Sequence, residues 1–432
     1  MRRLLAVCLC LANAAAAIPP GIVGGGGAVV VAPPGAFPWT PAFRVLRSGY
    51  SAWTDLNFAA KANAVTKTYY VNCATGVDAA AGTAEAPLLK VQTALGKADV
   101  DEVRIAPGLC DQAVSWNTSV ARSVNVRRWG TSGEVILSRH WKLTYAADGT
   151  YTNTFSATTT AADLAMVRDA GSVAADGRYY LLTRAVDAAT CDSTEGTWYL
   201  DDAGDKLYVH LVGGRTPAAS DVRPYSVSYP TQVNAAVTVY VEDITFDGGD
   251  GFVFWANGAS SVYLNRCRFR YGKQDAMSVG TATLAYAKDS IAEFNGGDGF
   301  RWNGAGGPQG ALINCIGRYN GLAPCNACNG YSRHLTGGTL VVGGSYHDNA
   351  GPNIRDIGTS KTWIVGARAW NALTNAANFH IGLTTDVSTM WLDHCVSSGS
   401  TYDLGSDASA TLYTRAVKET GAHTGAGAFT PY

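Results

Sequence analysis

The chain is poor in methionine, with 4 in 432 residues, and holds 7 histidines. It has no surplus of either charge, since 33 Lys and Arg face 34 Asp and Glu. Without a basic stripe, nucleic acid is not an expected partner. No acidic tail is present. Beyond the N-terminus no run of 18 apolar residues occurs, so no membrane span is expected. A P-loop, a dinucleotide fingerprint, a His-Glu-x-x-His motif and a nucleophile elbow are all missing. Nucleotide-dependent chemistry and the common serine and zinc hydrolases therefore lose support. No cofactor is expected, although Asp247 and Asp250 in a Gly-rich turn form a candidate calcium pair with backbone carbonyls.

What is present favours strands and tight turns. Glycine reaches 49 residues and aromatics 10%, with Thr, Val and Tyr in short runs. The first residues read as an export signal. Met1-Arg2-Arg3 is basic, Leu4 to Leu11 is apolar, and Ala15 to Ala17 supplies small residues for cleavage before Ile18. A secreted, periplasmic or cell-surface location is the expectation.

A supersecondary unit recurs from Val239 to Val417. Its short apolar runs begin at Val239, Val262, Leu284, Ala311, Thr339, Thr362, Thr389 and Thr411. The intervals are 23, 22, 27, 28, 23, 27 and 22 residues. Such a period marks a stacked solenoid. Two of the ten cysteines, Cys8 and Cys10, lie in the leader. Cys267, Cys315 and Cys395 follow the first strand of their coils and read as a ladder of buried thiols. Cys267 and Cys315 are two rungs apart, roughly 9.6 Å at the usual strand spacing, too far to bridge. Cys325 and Cys328 are expected to form a local disulfide, and Cys73 with Cys110 is a candidate second one.

The expected organisation is a signal peptide (1–17), a Gly/Pro-rich linker or strap (18–67), first coils with a capping helix (68–138), an insert (139–229), the main solenoid (230–417) and a tail (418–432). Leu88, Val91 and Leu95 share the apolar face of the capping helix. In the insert, Asp201 to Asp205 joins two strand-like runs as a hairpin.

The segment Tyr69 to Gly108 resembles the opening of right-handed parallel β-helix proteins of the pectin-lyase-like superfamily. It has a tyrosine-rich strand, a Gly turn, an Ala-Pro helix start, a strand and Ala-Pro-Gly. Asp250-Gly251-Phe252, Asp298-Gly299-Phe300 and Asn329-Gly330-Tyr331 are similar to that group's Asp/Asn-Gly-apolar repeat. Gly196 to Asp201, followed by Leu207 to Val209, is similar to an inserted sheet of some β-helix glycoside hydrolases. The resemblance spans about residues 68–417. It implies an all-β fold: a right-handed parallel β-helix with an N-terminal capping helix and an inserted small β-sandwich. It further implies action on polysaccharide, as in the superfamily's lyases and glycoside hydrolases, or glycan binding without catalysis, as on an adhesin or tail spike. Both monomers and trimers occur with this repeat.

Residues in register should form rows along the solenoid. Asp250, Asp275, Asp298 and Asn329 make one row, and Asn353, Asn378 and Asp403 continue it after a slip of one residue. Asp275 and Asp298 on adjacent rungs suit a glycosidase carboxylate pair. The competing reading is a ladder of Asp and Asn bonded to turn backbone. Phe252, Met277, Phe300 and Tyr331 read as core stacking. The next residues, Val253, Ser278, Arg301, Ser332, Arg355 and His380, should point outward. With His334 and Asp356 beside them, they form the candidate catalytic groove: Arg301 or Arg355 to neutralise a uronate, His334 or His380 as base, Asp298 and Asp356 as the nearest acids. Lys273, Trp302 and Arg333 are candidate substrate contacts alongside. His347-Asp348 and Asp393-His394 are expected to point to opposite faces of a strand, so neither pair should meet.

Overall fold

The structure, a computed structural model, describes residues 28–432 except 161–163, 219–220, 227–228, 250, 322–324, 326–327, 375 and 384–385. The expected leader, with Cys8 and Cys10, and Asp250 lie outside the described residues.

Each repeat contributes three short strands, one to each of three long sheets. Among the described residues, sheet I has twelve strands, sheet II nine and sheet III ten, all paired in parallel. Parallel strands joined by crossovers wind right-handed, and the body is a right-handed parallel β-helix. Side chains alternate across each strand. Two of every three residues in sheet III therefore face the interior, as in Phe254, Met277, Phe300, Tyr331, Ile354 and Phe379, which are fully buried and in register. One apolar core runs from Tyr69 to Leu412. Cys267, Cys315 and Cys395 are buried within it as free thiols. The short helix Val91–Leu95 closes the first coil, burying Val91, Ala94 and Leu95. Disulfides join Cys73 to Cys110 and Cys325 to Cys328.

The outward row of sheet I is aromatic and apolar: Tyr240, Tyr263, Tyr286, Ala311, Leu340, Trp363, Trp391 and Tyr413. Water does not reach most of it, because the N-terminal segment lies across it. That segment forms an antiparallel three-stranded sheet, Val29–Val31, Val45–Ser48 and Ser51–Thr54. Phe37 packs on Trp363 and Trp391, Trp39 stacks on Tyr286, and Phe58 meets Tyr240 and Tyr263. The Trp39 indole N–H donates to the Gly338 carbonyl at 3.1 Å. A Cβ at Gly338 would stand 2.4 Å from Pro38, so only glycine admits this approach.

The insert is a seven-stranded sheet, mostly antiparallel, with one parallel pair between Tyr179–Arg184 and Thr197–Asp201. The hairpin at Asp201 to Asp205 joins Thr197–Asp201 to Lys206–His210. Sheet II holds the insert through a buried ionic cluster. Asp247 receives Tyr225 Oη at 2.6 Å, Arg270 Nε at 2.9 Å and Arg223 Nη1 at 3.3 Å. Its carboxylate is thus saturated by two guanidinium groups and a phenol. A calcium ligand needs those oxygens free, so the expected pairing with Asp250 does not describe Asp247. Among the described residues no group of three metal-ligating side chains is assembled.

Candidate functional site

The site lies on the outer face of sheet III. Its outward row reads Trp255, Ser278, Arg301, Ser332, Arg355, His380 and Gly405 in strict register. Five of the six residues expected outward are in this row; Arg301, Arg355 and His380 are half-buried, whereas Ser278 and Ser332 are buried beneath their neighbours. Val253 is not in the row: it is fully buried, and Trp255 takes its place. The aromatic core row shifts by the same two residues, with Phe254 rather than Phe252 in line with Met277.

Two expected substrate contacts and one expected catalytic acid lie inside the solenoid. Trp302, Arg333 and Asp356 follow Arg301, Ser332 and Arg355, and strand alternation turns them inward. All three have no exposed surface. Arg333 donates to Thr339 Oγ1 at 2.7 Å and to the carbonyls of Pro308 and Thr336. Asp356 accepts from Thr362 Oγ1 at 2.8 Å, and burial pushes its carboxyl up to about 7. Neither can touch a polymer on the outer face. Lys273 is exposed in the turn before Asp275.

Asp275 and Asp298 each do two things. Asp275 Oδ1 accepts the Asp298 backbone N–H at 2.9 Å, while its Oδ2 meets Arg301 Nη1 at 2.8 Å. Asp298 Oδ1 accepts the backbone N–H of Asn329 at 2.7 Å and its amide at 2.8 Å, while Oδ2 accepts Ser332 Oγ at 2.6 Å. One oxygen of each carboxylate bonds the turn; the other faces the outward row. His334 brings Nε2 to 3.7 Å from Asp298 Oδ2, beyond hydrogen-bond length.

The two carboxyls differ in proton affinity. Burial and the neighbouring Asp298 charge push Asp275 up to about 6, against the pull of Arg301. Burial also works against the charge on Asp298, but His334, Ser332 and Asn329 outweigh it and hold that carboxyl below its usual range. Paired carboxyls driven apart in this way can divide the work of acid and base.

Further along the row sit Arg355 and His380. Burial, then the Arg355 charge, lowers the His380 imidazole's proton affinity, and its buried Nδ1 has no hydrogen-bond partner among the described residues. Gly405 follows on the next rung, where a Cβ would stand 2.4 Å from the His380 ring. The later members of the Asp/Asn row leave the site. Asn353, Asn378 and Asp403 join Asn295, Asn320 and Asn349 in a buried amide ladder with steps of 2.7 to 3.2 Å.

At the opposite end the row opens onto three half-buried rings. Tyr229 stacks on Phe252 at 5.6 Å, and Trp255 lies 4.9 Å from Tyr229 and 5.9 Å from Phe252. This platform escapes the motif alignment. Counting 23 residues back from Met277, the interval of the preceding unit, would have placed Phe254 in the core and left Phe252 outside.

The His-Asp neighbours do meet. His347 Nδ1 lies 2.6 Å from Asp348 Oδ2, and His394 contacts Asp393. Asp348 and His394 adopt left-handed backbone, with φ of 56° and 53°, so strand alternation stops at these positions.

No protein-family model matches the chain, and no curated protein sequence matches it. Solved structures do. The chain's structural neighbours are carbohydrate-active β-helix proteins. A glycoside hydrolase superposes with a TM-score of 0.53 at 10% identity, covering 84% of this chain and 96% of that one. XylC in complex with xylose gives 0.49 at 11%, over 82% and 70% of the two chains. Pectate lyase Pel9A gives 0.49 at 10%, over 85% and 80%. At these identities the likeness is one of fold.

Proposed function

We propose that this protein binds an extracellular polysaccharide along the outer face of sheet III and hydrolyses it. The Asp275 and Asp298 pair carries the reading, since its two carboxyls share a site yet differ in proton affinity. Asp275, protonated up to about pH 6, serves as general acid to the leaving oxygen. Asp298, kept ionised, serves as base or nucleophile. Arg301 orients Asp275, and Ser332 orients Asp298. The Tyr229, Phe252 and Trp255 rings offer a sugar-stacking surface beside the acids. Export fits the leader-like first 17 residues and the two disulfides.

A second reading rests on a separate observation. Arg355 has no carboxylate within 4.0 Å among the described residues, and beside it stands the half-buried His380 ring, whose proton affinity is lowered by burial and by the Arg355 charge. A cation to neutralise a uronate next to a neutral base is the equipment of a lyase. Incubating the chain with neutral and acidic polysaccharides separates the readings. New reducing ends without unsaturated uronate support hydrolysis, and loss of that activity in Asp275→Asn confirms the assignment. Unsaturated products that disappear in His380→Ala support elimination. Binding without any product would sink both and leave a glycan-binding surface protein.

A further inference from the structure

The geometry points to a second saccharide site, on sheet II, for an anionic sugar residue. The outward row of that sheet ends in Arg318, His347, Trp370 and Ser398. His347 and Trp370 stack at 4.1 Å and 7°, so one face of the indole is covered. Its partner on the following rung is Ser398, too small to cover the other face. The strap brings Tyr50 to one side, and Lys418, after the last long coil, closes another. Together with Arg368 and Val396 these residues line a cleft of about 440 Å³, within the usual range for small-ligand sites, roughly 300–1,000 Å³.

The charge of this cleft differs from the rest of sheet II. Arg268 and Arg318 both pair with Glu293, and Arg270 pairs with Asp247. Arg368 and Lys418 are exposed, and neither has a carboxylate within 4.0 Å among the described residues. Two unneutralised cations thus flank a free aromatic face. The apolar face of a pyranose stacks on Trp370 while its carboxylate or sulfate lies between Arg368 and Lys418. A site so far around the solenoid from Asp275 anchors a chain and takes no part in cleaving it. It stands whether or not sheet III is catalytic.

The test is calorimetric titration of the whole chain with a uronate tetrasaccharide, a sulfated tetrasaccharide and the carboxyl-reduced neutral tetrasaccharide. One of the anionic probes is expected to bind with a component that Arg368→Ala/Lys418→Ala weakens tenfold or more. Ser398→Tyr, which fills the open face of Trp370, should abolish the same component, and Arg355→Ala on sheet III should leave it in place. The identity of the anionic probe that binds tells carboxylate from sulfate. An unchanged isotherm in the double variant overturns the proposal. So does equal binding of the neutral probe, or displacement by inorganic sulfate at the sugar's own concentration.

Discussion

Asp275 reaches Asp298 through the backbone: its Oδ1 accepts the Asp298 N–H at 2.9 Å, and this same contact sets the two carboxyls on one face. A turn-bonding ladder and a carboxylate pair are therefore not alternatives at these positions. The ladder holds the acids in place, so little rotamer freedom remains to be lost when substrate arrives.

The pH profile should follow from that pair. A general acid must be protonated, so activity falls as pH rises through about 6, the value to which Asp275 is pushed. A base must be ionised, so activity falls on the acid side only below the usual carboxylate range, where Asp298 titrates. Arg301→Ala removes the cation that lowers Asp275 and should move the alkaline limb upward. Measuring kcat/KM against pH for both forms checks this; an unmoved limb excludes Asp275 as the acid. Asp275→Asn and Asp298→Asn should each cost about 10²-fold or more, with thermal unfolding close to the parent's.

Trp255 should govern binding more than turnover. Trp255→Ala is expected to raise KM about tenfold, close to 1.4 kcal/mol, with kcat nearly constant. Equal loss of kcat would place the ring at the reacting sugar instead.

Asp356 makes stability fall with alkalinity. Its folded-state affinity for a proton is raised to about 7 by burial, above the unfolded value. The native chain therefore holds the extra proton, and that contribution, complete below the unfolded pKa, is lost as pH rises through about 7. Asp356→Asn keeps an acceptor for Thr362 and cannot ionise. Its stability relative to the parent should grow between pH 5 and pH 8 by about 1–3 kcal/mol, read as a pH-dependent gap in denaturation midpoints. A constant gap would show that Asp356 does not titrate there.

Asp247 works in the other direction. Burial opposes its charge, but Arg270, Arg223 and Tyr225 hold it below the usual range. Its contribution is present at neutral pH and is lost as pH falls through that lowered value. Asp247→Ala leaves Arg223 and Arg270 buried without their shared anion, which costs roughly 3–5 kcal/mol. Limited proteolysis should then cut within residues 146–226 at protease levels that spare the parent.

Much of this was legible in the chain. A period of 22 to 28 residues defined the coils, and the residue after the aromatic position gave Ser278, Arg301, Ser332, Arg355 and His380 as one face. Trp302, Arg333 and Asp356 are next to the outward row in sequence but not on its surface, because neighbouring strand residues point apart. Arg333 and Asp356 are charged residues in an interior, which composition gives no reason to expect. The Asp-Gly-Phe motif conceals Trp255, because it aligns Phe252 with Met277 where the interval aligns Phe254. A shift of two residues preserves the alternation of buried and exposed positions, so the misalignment produces no inconsistency. The His347 and Asp348 contact depends on left-handed backbone at a non-glycine residue, which no local pattern announced.

The strap has a consequence for how the whole molecule comes apart. Phe37 touches Trp391 in a late coil, Phe58 touches Tyr240 many rungs earlier, and Asn63 bonds Asn125 earlier still. A bare solenoid can fray from an end, because each rung knows only its neighbours. Here one segment spans about seven rungs like a clasp, so the last coils cannot peel away without dragging it off the earlier ones. Synthesised first, it must wait for the surface it covers, and it locks the stack when the final turns arrive. Deleting residues 28–62 should replace a single sharp melting transition with a broad one that begins at the C-terminal coils, visible as early hydrogen exchange near residues 389–415.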